Sequence, residues 1–346
     1  MAKTSRSTTA QVIDGDTAVH LPARIEGHYT GHPRNEGTEL MLDWIDDLQV
    51  NMSGVERRTA SLPGRRTVKK DYQAAWLLKA ISCIDLTTLS GDDTAGRVKR
   101  LCAKARKPVS DELTEKLGIE RLHLTTGAVC VYHEMVETAA RELEGTRIPV
   151  AAVSAGFPHG MSPLPQRLDE IRASVAAGAN EIDIVITRGH VLTGNWQALY
   201  DEVREMREAC GSARLKTILA TGELATLRNV AKASMVSMMA GSDYIKTSTG
   251  KEGVNANLNV SLVMLRMIRE YEANTGFKVG YKPAGGISTA KDVMNYQFLM
   301  KEELGNDWLQ PDLFRIGASS LLADIERQLD HHVSGRYSAN NRHAMG

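Results

Sequence analysis

The chain has 346 residues, of which 42% are hydrophobic, 24% charged and 5% aromatic, a profile that fits a folded globular protein and excludes a disordered or membrane-embedded one. Its 42 Lys and Arg residues are matched by 42 Asp and Glu, so no net field draws it to nucleic acid or to an anionic membrane surface. The opening residues hold no apolar core of signal-peptide length and no later run approaches a membrane span, so a cytoplasmic protein is expected.

Residues 1–35 are rich in Ser, Thr, Gly and His without periodicity and read as a disordered tail. An N-terminal helical extension is predicted over residues 36–75. It has one amphipathic helix across 37–50, where Leu40, Leu42, Trp44, Ile45 and Leu48 alternate with acids, and a second from about Arg66 to Ala80. Eight short apolar runs then follow, at 82–85, 127–132, 149–154, 181–186, 215–220, 244–247, 278–282 and 313–317. Amphipathic segments of helix length lie between them, for example 166–177, 196–210, 224–240 and 262–274.

A strand and a helix alternating eight times is the pattern of a (β/α)8 TIM barrel, here with extra N-terminal helices, in the α/β class. The span 76–330 is about the roughly 250 residues such a barrel needs. No GxGxxG follows the first strand, which argues against an open doubly wound sheet. Residues 331–346 are left as a C-terminal tail. Cys83, Cys102, Cys130 and Cys210 form no CxxC pair and read as small buried residues, and the ten His residues are scattered. No metal site is expected.

Catalytic groups of such barrels gather at the C-terminal ends of the strands. In 181–186 the three isoleucines share one face, which turns Glu181, Asp183 and Val185 inward. Lys246 lies in an apolar run where a charged amine is costly, and Lys282 stands at a strand end before a glycine turn. Lys216, in the fifth run, would taken alone be a lysine reaching out to solvent. Lys246, Lys282 and Asp183 together read as a site: crowded ammonium groups lower a lysine's proton affinity and make it a nucleophile for aldehydes, with Asp183 moving protons. Gly285 and Gly286 after the seventh run, Gly317, Ser319 and Ser320 after the eighth, and Gly250 with Lys251 favour a phosphorylated substrate.

The segments IDLTTL (84–89), FPHG (157–160), EIDIV (181–185), TGEL (221–224), DYIKTSTGK (243–251), GYKPAGG (280–286) and FRIGASS (314–320) resemble the deoxyribose-phosphate aldolase family, in that family's order. The N-terminal helices and residues 324–337 are similar to its longer, animal branch. The resemblance implies reversible cleavage of 2-deoxy-D-ribose 5-phosphate to D-glyceraldehyde 3-phosphate and acetaldehyde, without metal or organic cofactor. It makes Lys246 the Schiff-base residue, Lys282 the group that lowers its pKa and joins the proton relay, and Asp183 the proton carrier. Lys216, Asp85, Thr87 and Thr249 become substrate-pocket residues. It implies small-molecule phosphosugar and aldehyde partners and leaves room for a homo-oligomer. Two departures stand out: Ser288 occupies a position where many bacterial members carry arginine, and the chain lacks the terminal tyrosine of some short members, Tyr337 being its nearest substitute. Another lysine-imine aldolase, a phosphosugar isomerase and a non-catalytic sugar-phosphate binder are the alternative readings.

Overall fold

Eight runs of alternating small and branched residues become eight parallel strands in the computed structural model, which describes residues 32–339, 342 and 343. They are β1 (Ile84–Thr87), β2 (Ala128–Tyr132), β3 (Val150–Val153), β4 (Glu181–Val185), β5 (Arg214–Ile218), β6 (Tyr244–Lys246), β7 (Gly280–Lys282) and β8 (Ile316–Ala318). Their order is β7-β6-β5-β4-β3-β2-β1-β8, and bridges from Tyr281 to Phe314 and from Ala284 to Gly317 close β7 onto β8. The result is a (β/α)8 barrel with every strand's C-terminal end on one face.

Among the described residues three helices precede the barrel: α1 (Asp43–Asp46), α2 (Met52–Arg65) and α3 (Lys70–Cys83). The crossovers are α4 (Ala95–Arg106) with α5 (Asp111–Leu117), α6 (Val136–Glu142), α7 (Leu164–Ala176), α8 (Arg188–Leu192) with α9 (Trp196–Ala209), α10 (Leu227–Met239), α11 (Leu258–Thr275) and α12 (Ala290–Leu304). Helix α13 (Leu321–Ser334) follows β8. Local chemistry sets their starts. The side chains of Thr226, Asn257 and Thr289 accept backbone N–H bonds at the heads of α10, α11 and α12, satisfying donors that a helix's first turn leaves open. At the tail of α11, Gly276 takes a φ of +76°, the left-handed conformation that ends helices.

The amino-terminal region departs from expectation. Only Asp43–Asp46 of the predicted 37–50 helix is helical, because the preceding chain is drawn onto the barrel: Thr38 N–H donates to Met239 O, and Tyr200 Oη donates to Thr38 O. The helix α2 was not anticipated, since Gly54, Pro63 and Gly64 mask a buried stripe of Val55, Thr59 and Leu62. The second predicted helix begins later, at Lys70, and runs to Cys83. The expected tail over 1–35 lies outside the described residues up to residue 31, but its last part is docked: Asn35 is buried, with its amide donating to Met238 O and Ser242 O. Similarly, α13 carries through residue 334, and His343 is buried 3.5 Å from Asp330, so the expected 331–346 tail is partly helix and partly packed.

Side-chain alternation divides the barrel. Ile182, Ile184 and Ile186 join the helix-facing core, as the sequence pattern requires. Inside the barrel the apolar content is small, chiefly Cys130, Ala151 and Val153. Tyr244 fills the interior beside Gly280, where an added Cβ would come within 2.3 Å of its ring; glycine is therefore a packing requirement at that position.

Candidate active site

Strand register decides which functional side chains meet. Lys246 is paired with Ile218 and Lys282, and Asp183 with Lys216, so two lysines stand at one level with the carboxylate one step below. Lys246 Nζ donates to Asp183 Oδ2 at 2.7 Å, and Lys282 Nζ donates to the same oxygen at 2.7 Å. Lys216 Nζ donates to Asp183 Oδ1 at 3.0 Å. A single carboxylate thus holds three lysines, and all four side chains are buried.

The lysines differ in proton affinity. Burial lowers the pKa of Lys246, Asp183 opposes the shift, the neighbouring Lys282 reinforces it, and the net result lies below the ordinary 10.5. Burial also acts on Lys282, yet Asp183 and Asp85 outweigh it and raise its pKa. Lys216 is held well above its usual value against burial by Asp183, Asp85 and Glu181. Asp183 itself, despite burial, is held well below the carboxylate range by Lys216, Lys246 and Lys282. Lys246 is the most readily neutral amine of the three. Burial is the first cause of the Lys246 shift, and the neighbouring Lys282 ammonium acts in the same direction.

Lys246 alone of the three reaches the cavity of about 420 Å³ at the open end of the barrel. Its walls include Thr87, Thr249, Gly250, Lys251, Gly285 and Gly286, and Gly317, Ser319 and Ser320 complete them. Thr88 and Ser90, which also line it, were not singled out from sequence, and Ser288 lines it at the position noted there for its missing arginine. Asp85 and Lys216, expected as pocket residues, are not among the residues that line this cavity; both are fully buried and paired with each other. Lys216 does not reach solvent, because Asp183 and Glu181 meet its ammonium inside the barrel.

The loops around the cavity are built for close backbone approach. Gly250, Gly285 and Gly286 have φ of +86°, +82° and +78°, conformations that side chains with a Cβ rarely adopt. A Cβ on Gly285 would also come within 2.6 Å of Asn255. The Glu252 carboxylate accepts from Thr249 N–H and Thr249 Oγ1 and from Gly250 N–H at 3.2 Å, so the Gly250 N–H is already engaged. Arg188 lies 3.7 Å from Glu252 and 2.6 Å from Glu223, and donates to His159 O, tying four loops together. Tyr337 is exposed and stacked on His331 at 4.2 Å, and it does not line this cavity.

A sheltered amine short of its usual basicity can add to a carbonyl, the chemistry by which class I aldolases work. The chain belongs to the DeoC/LacD aldolase family, whose model matches residues 79–326. It is 60% identical to the deoxyribose-phosphate aldolase of Homo sapiens over 307 residues, covering 88% of this chain and 96% of that protein. The Mus musculus deoxyribose-phosphate aldolase is likewise 60% identical over 305 residues, with the same shares covered. Among solved structures, the tetrameric deoxyribose phosphate aldolase from Aeropyrum pernix matches with a TM-score of 0.58 and 21% identity, over 81% of this chain and 99% of that one; at that identity it bears on the fold.

One charged residue, Arg315, was passed over in the sequence, and Glu181 was read there only as facing inward. Arg315 and Glu181 complete the buried network beneath Asp85 and Lys216. The signal for Arg315 was present, a charge within the apolar run FRIG, and is the same signal that singled out Lys246.

Proposed function

We propose that this aldolase cleaves 2-deoxy-D-ribose 5-phosphate to D-glyceraldehyde 3-phosphate and acetaldehyde, reversibly, through an imine on Lys246. The observation that carries the reading is the placement of Lys246, a buried lysine that lines the cavity with its Nζ 2.7 Å from the Asp183 carboxylate and its pKa lowered by burial. The neutral Lys246 amine adds to the open-chain aldehyde carbon to give a carbinolamine, which loses water to form an iminium. The C3 hydroxyl proton is taken up through a water by Asp183, the C2–C3 bond breaks, and its electrons enter the iminium as an enamine while glyceraldehyde 3-phosphate leaves. Protonation of the enamine carbon and hydrolysis release acetaldehyde and the free amine. Lys282, whose pKa is raised, stays an ammonium that disfavours a second positive charge on Lys246 and donates toward departing oxygens.

The substrate's phosphate is assigned to the far wall, with the Lys251 ammonium and the backbone N–H groups of Gly285, Gly286, Ser319 and Ser320 as its donors. Gly250 and Gly317 shape the approach: the N–H of Gly317 is bonded to Pro283 O. With serine at 288 the wall has no guanidinium there, so the backbone donors and Lys251 carry the recognition. Sequence identity to the mammalian enzymes supports the substrate. The same reading includes a cytoplasmic, homo-oligomeric enzyme of deoxyribose catabolism. Among the described residues no helix is long and apolar enough to cross a membrane.

The test is turnover by the purified protein, read as acetaldehyde release. Deoxyribose 5-phosphate is expected to turn over, unphosphorylated deoxyribose far more weakly, and Lys246→Met to lose on the order of a thousandfold or more of kcat. Lys251→Ala is expected to raise KM for the phosphorylated sugar with little effect on the unphosphorylated one. Equal use of both sugars would contradict the phosphate assignment.

A further inference from the structure

The barrel interior carries more charge than the carbon–carbon chemistry uses. At the foot of the barrel, Arg315 Nη1 donates to Asp85 Oδ1 at 2.7 Å and its Nη2 to Glu181 Oε1 at 2.7 Å. Lys216 Nζ donates to Glu181 and, at 3.3 Å, to Asp85 Oδ2. Lys282 Nζ lies 2.5 Å from that same Asp85 oxygen. Signs therefore alternate without a break from Arg315 through Asp85 to Lys282, and through Asp183 to Lys246. Arg315 and Glu181 are as completely buried as the residues above them, and neither reaches the cavity.

We propose that Arg315 and Glu181 are positioning residues that set, from the bottom of the barrel, the fraction of Lys246 present as free amine. The inference rests on Lys246 being the imine-forming residue. Arg315 holds one oxygen of Asp85, so that only part of that carboxylate's charge falls on Lys282. Glu181 engages Lys216 from below and so limits what Lys216 draws from Asp183. In a water-excluded interior, charges in a linked network couple beyond the first contact and titrate as a group. Neutralising Arg315 adds one unit of negative charge to this interior and steadies the proton on Lys246. Neutralising Glu181 does the opposite. The groups facing Lys246 itself are Asp183 from β4, Lys282 from β7 and the Cys130 thiol from β2; Tyr244 packs between Lys216 and Arg315, 5.9 Å from each. These remain in place in either variant.

The two opposite signs separate this from a packing role, which would lower activity without moving a pH midpoint in contrary directions. The experiment measures the rate of borohydride trapping on Lys246 with acetaldehyde as the probe, as a function of pH. In Arg315→Gln the midpoint is expected to rise by about one unit, about tenfold less free amine at a pH below it. In Glu181→Gln it is expected to fall by a similar amount. Arg315→Lys and the double variant Arg315→Gln with Glu181→Gln should lie near the parent. If Arg315→Gln does not fold, the fall in Glu181→Gln and its absence in Glu181→Asp decide the matter. Midpoints that stay put, or both move the same way, while Lys246 is still trapped would overturn the inference. Absence of any adduct on Lys246 in the parent protein would instead overturn the imine reading on which it rests.

Discussion

At Lys246, burial and charge pull in opposite directions, and burial with help from Lys282 prevails over Asp183. The folded protein therefore favours the neutral amine at a lower pH than free lysine does, and the ascending limb of kcat/KM against pH is expected below 10.5. Lys282→Met removes a repelling cation, so the limb should move to higher pH; Asp183→Asn removes the stabilising anion, so it should move to lower pH even as kcat falls. A Lys282→Met profile shifted downward would contradict this sign. Thiols follow the same logic: burial pushes Cys83 up to about 11 and Cys102 and Cys210 up to about 12. Protonated and covered, these three should resist a thiol reagent near pH 8 in the native protein and react once it unfolds. Lys246, Lys282 and Asp183 were legible in the sequence because a charge inside an apolar run contradicts its surroundings. What the runs could not convey is which charges face one another. Lys216 looked like a surface lysine until Glu181, Asp85 and Asp183 were seen around its ammonium.

Strands and crossover helices follow their sequence patterns closely, since alternation and 3.6-residue periodicity are local properties. The predicted strand at 82–85 is displaced to Ile84–Thr87 because α3 continues to Cys83. The helix α2 escaped because its glycines and proline lower local helix preference, whereas Val55, Thr59 and Leu62 hold it by burial against the barrel. Its Asn51 cap accepts from Gly54 N–H at 2.8 Å, so Asn51→Ala is expected to cost about 1 kcal/mol in urea unfolding. The cavity wall depends on backbone shape, and that too is only partly readable, because a glycine in sequence does not announce a positive φ. Gly285→Ala meets both a disfavoured φ and the Asn255 side chain. It should raise KM for the phosphorylated substrate severalfold with a smaller loss of kcat; an unchanged KM would remove this turn from the phosphate wall.

Over the whole molecule, the eightfold rhythm of apolar runs was enough to identify the barrel, while contacts between distant segments were not. Arg34 and Asn35 illustrate this. They belong to a stretch without periodicity, yet Arg34 pairs with Asp243 at 3.1 Å and the Asn35 N–H donates to the same carboxylate, just before β6. The charged barrel interior has a consequence for acid stability. Asp183, Asp85 and Glu181 all titrate below their ordinary values despite burial, held there by lysines and Arg315. Depressed carboxyls contribute stability that is present above the unfolded pKa and lost as pH falls toward the folded one. Denaturant midpoints should therefore drop steadily below about pH 4, and flat midpoints through that range would argue against the network. One covalent bond, the imine on Lys246, defines the proposed chemistry. Incubation with deoxyribose 5-phosphate and borohydride, followed by peptide mapping in a mass spectrometer, should yield a reduced adduct on Lys246; an adduct on Lys282 or Lys216, or none during turnover, would contradict it.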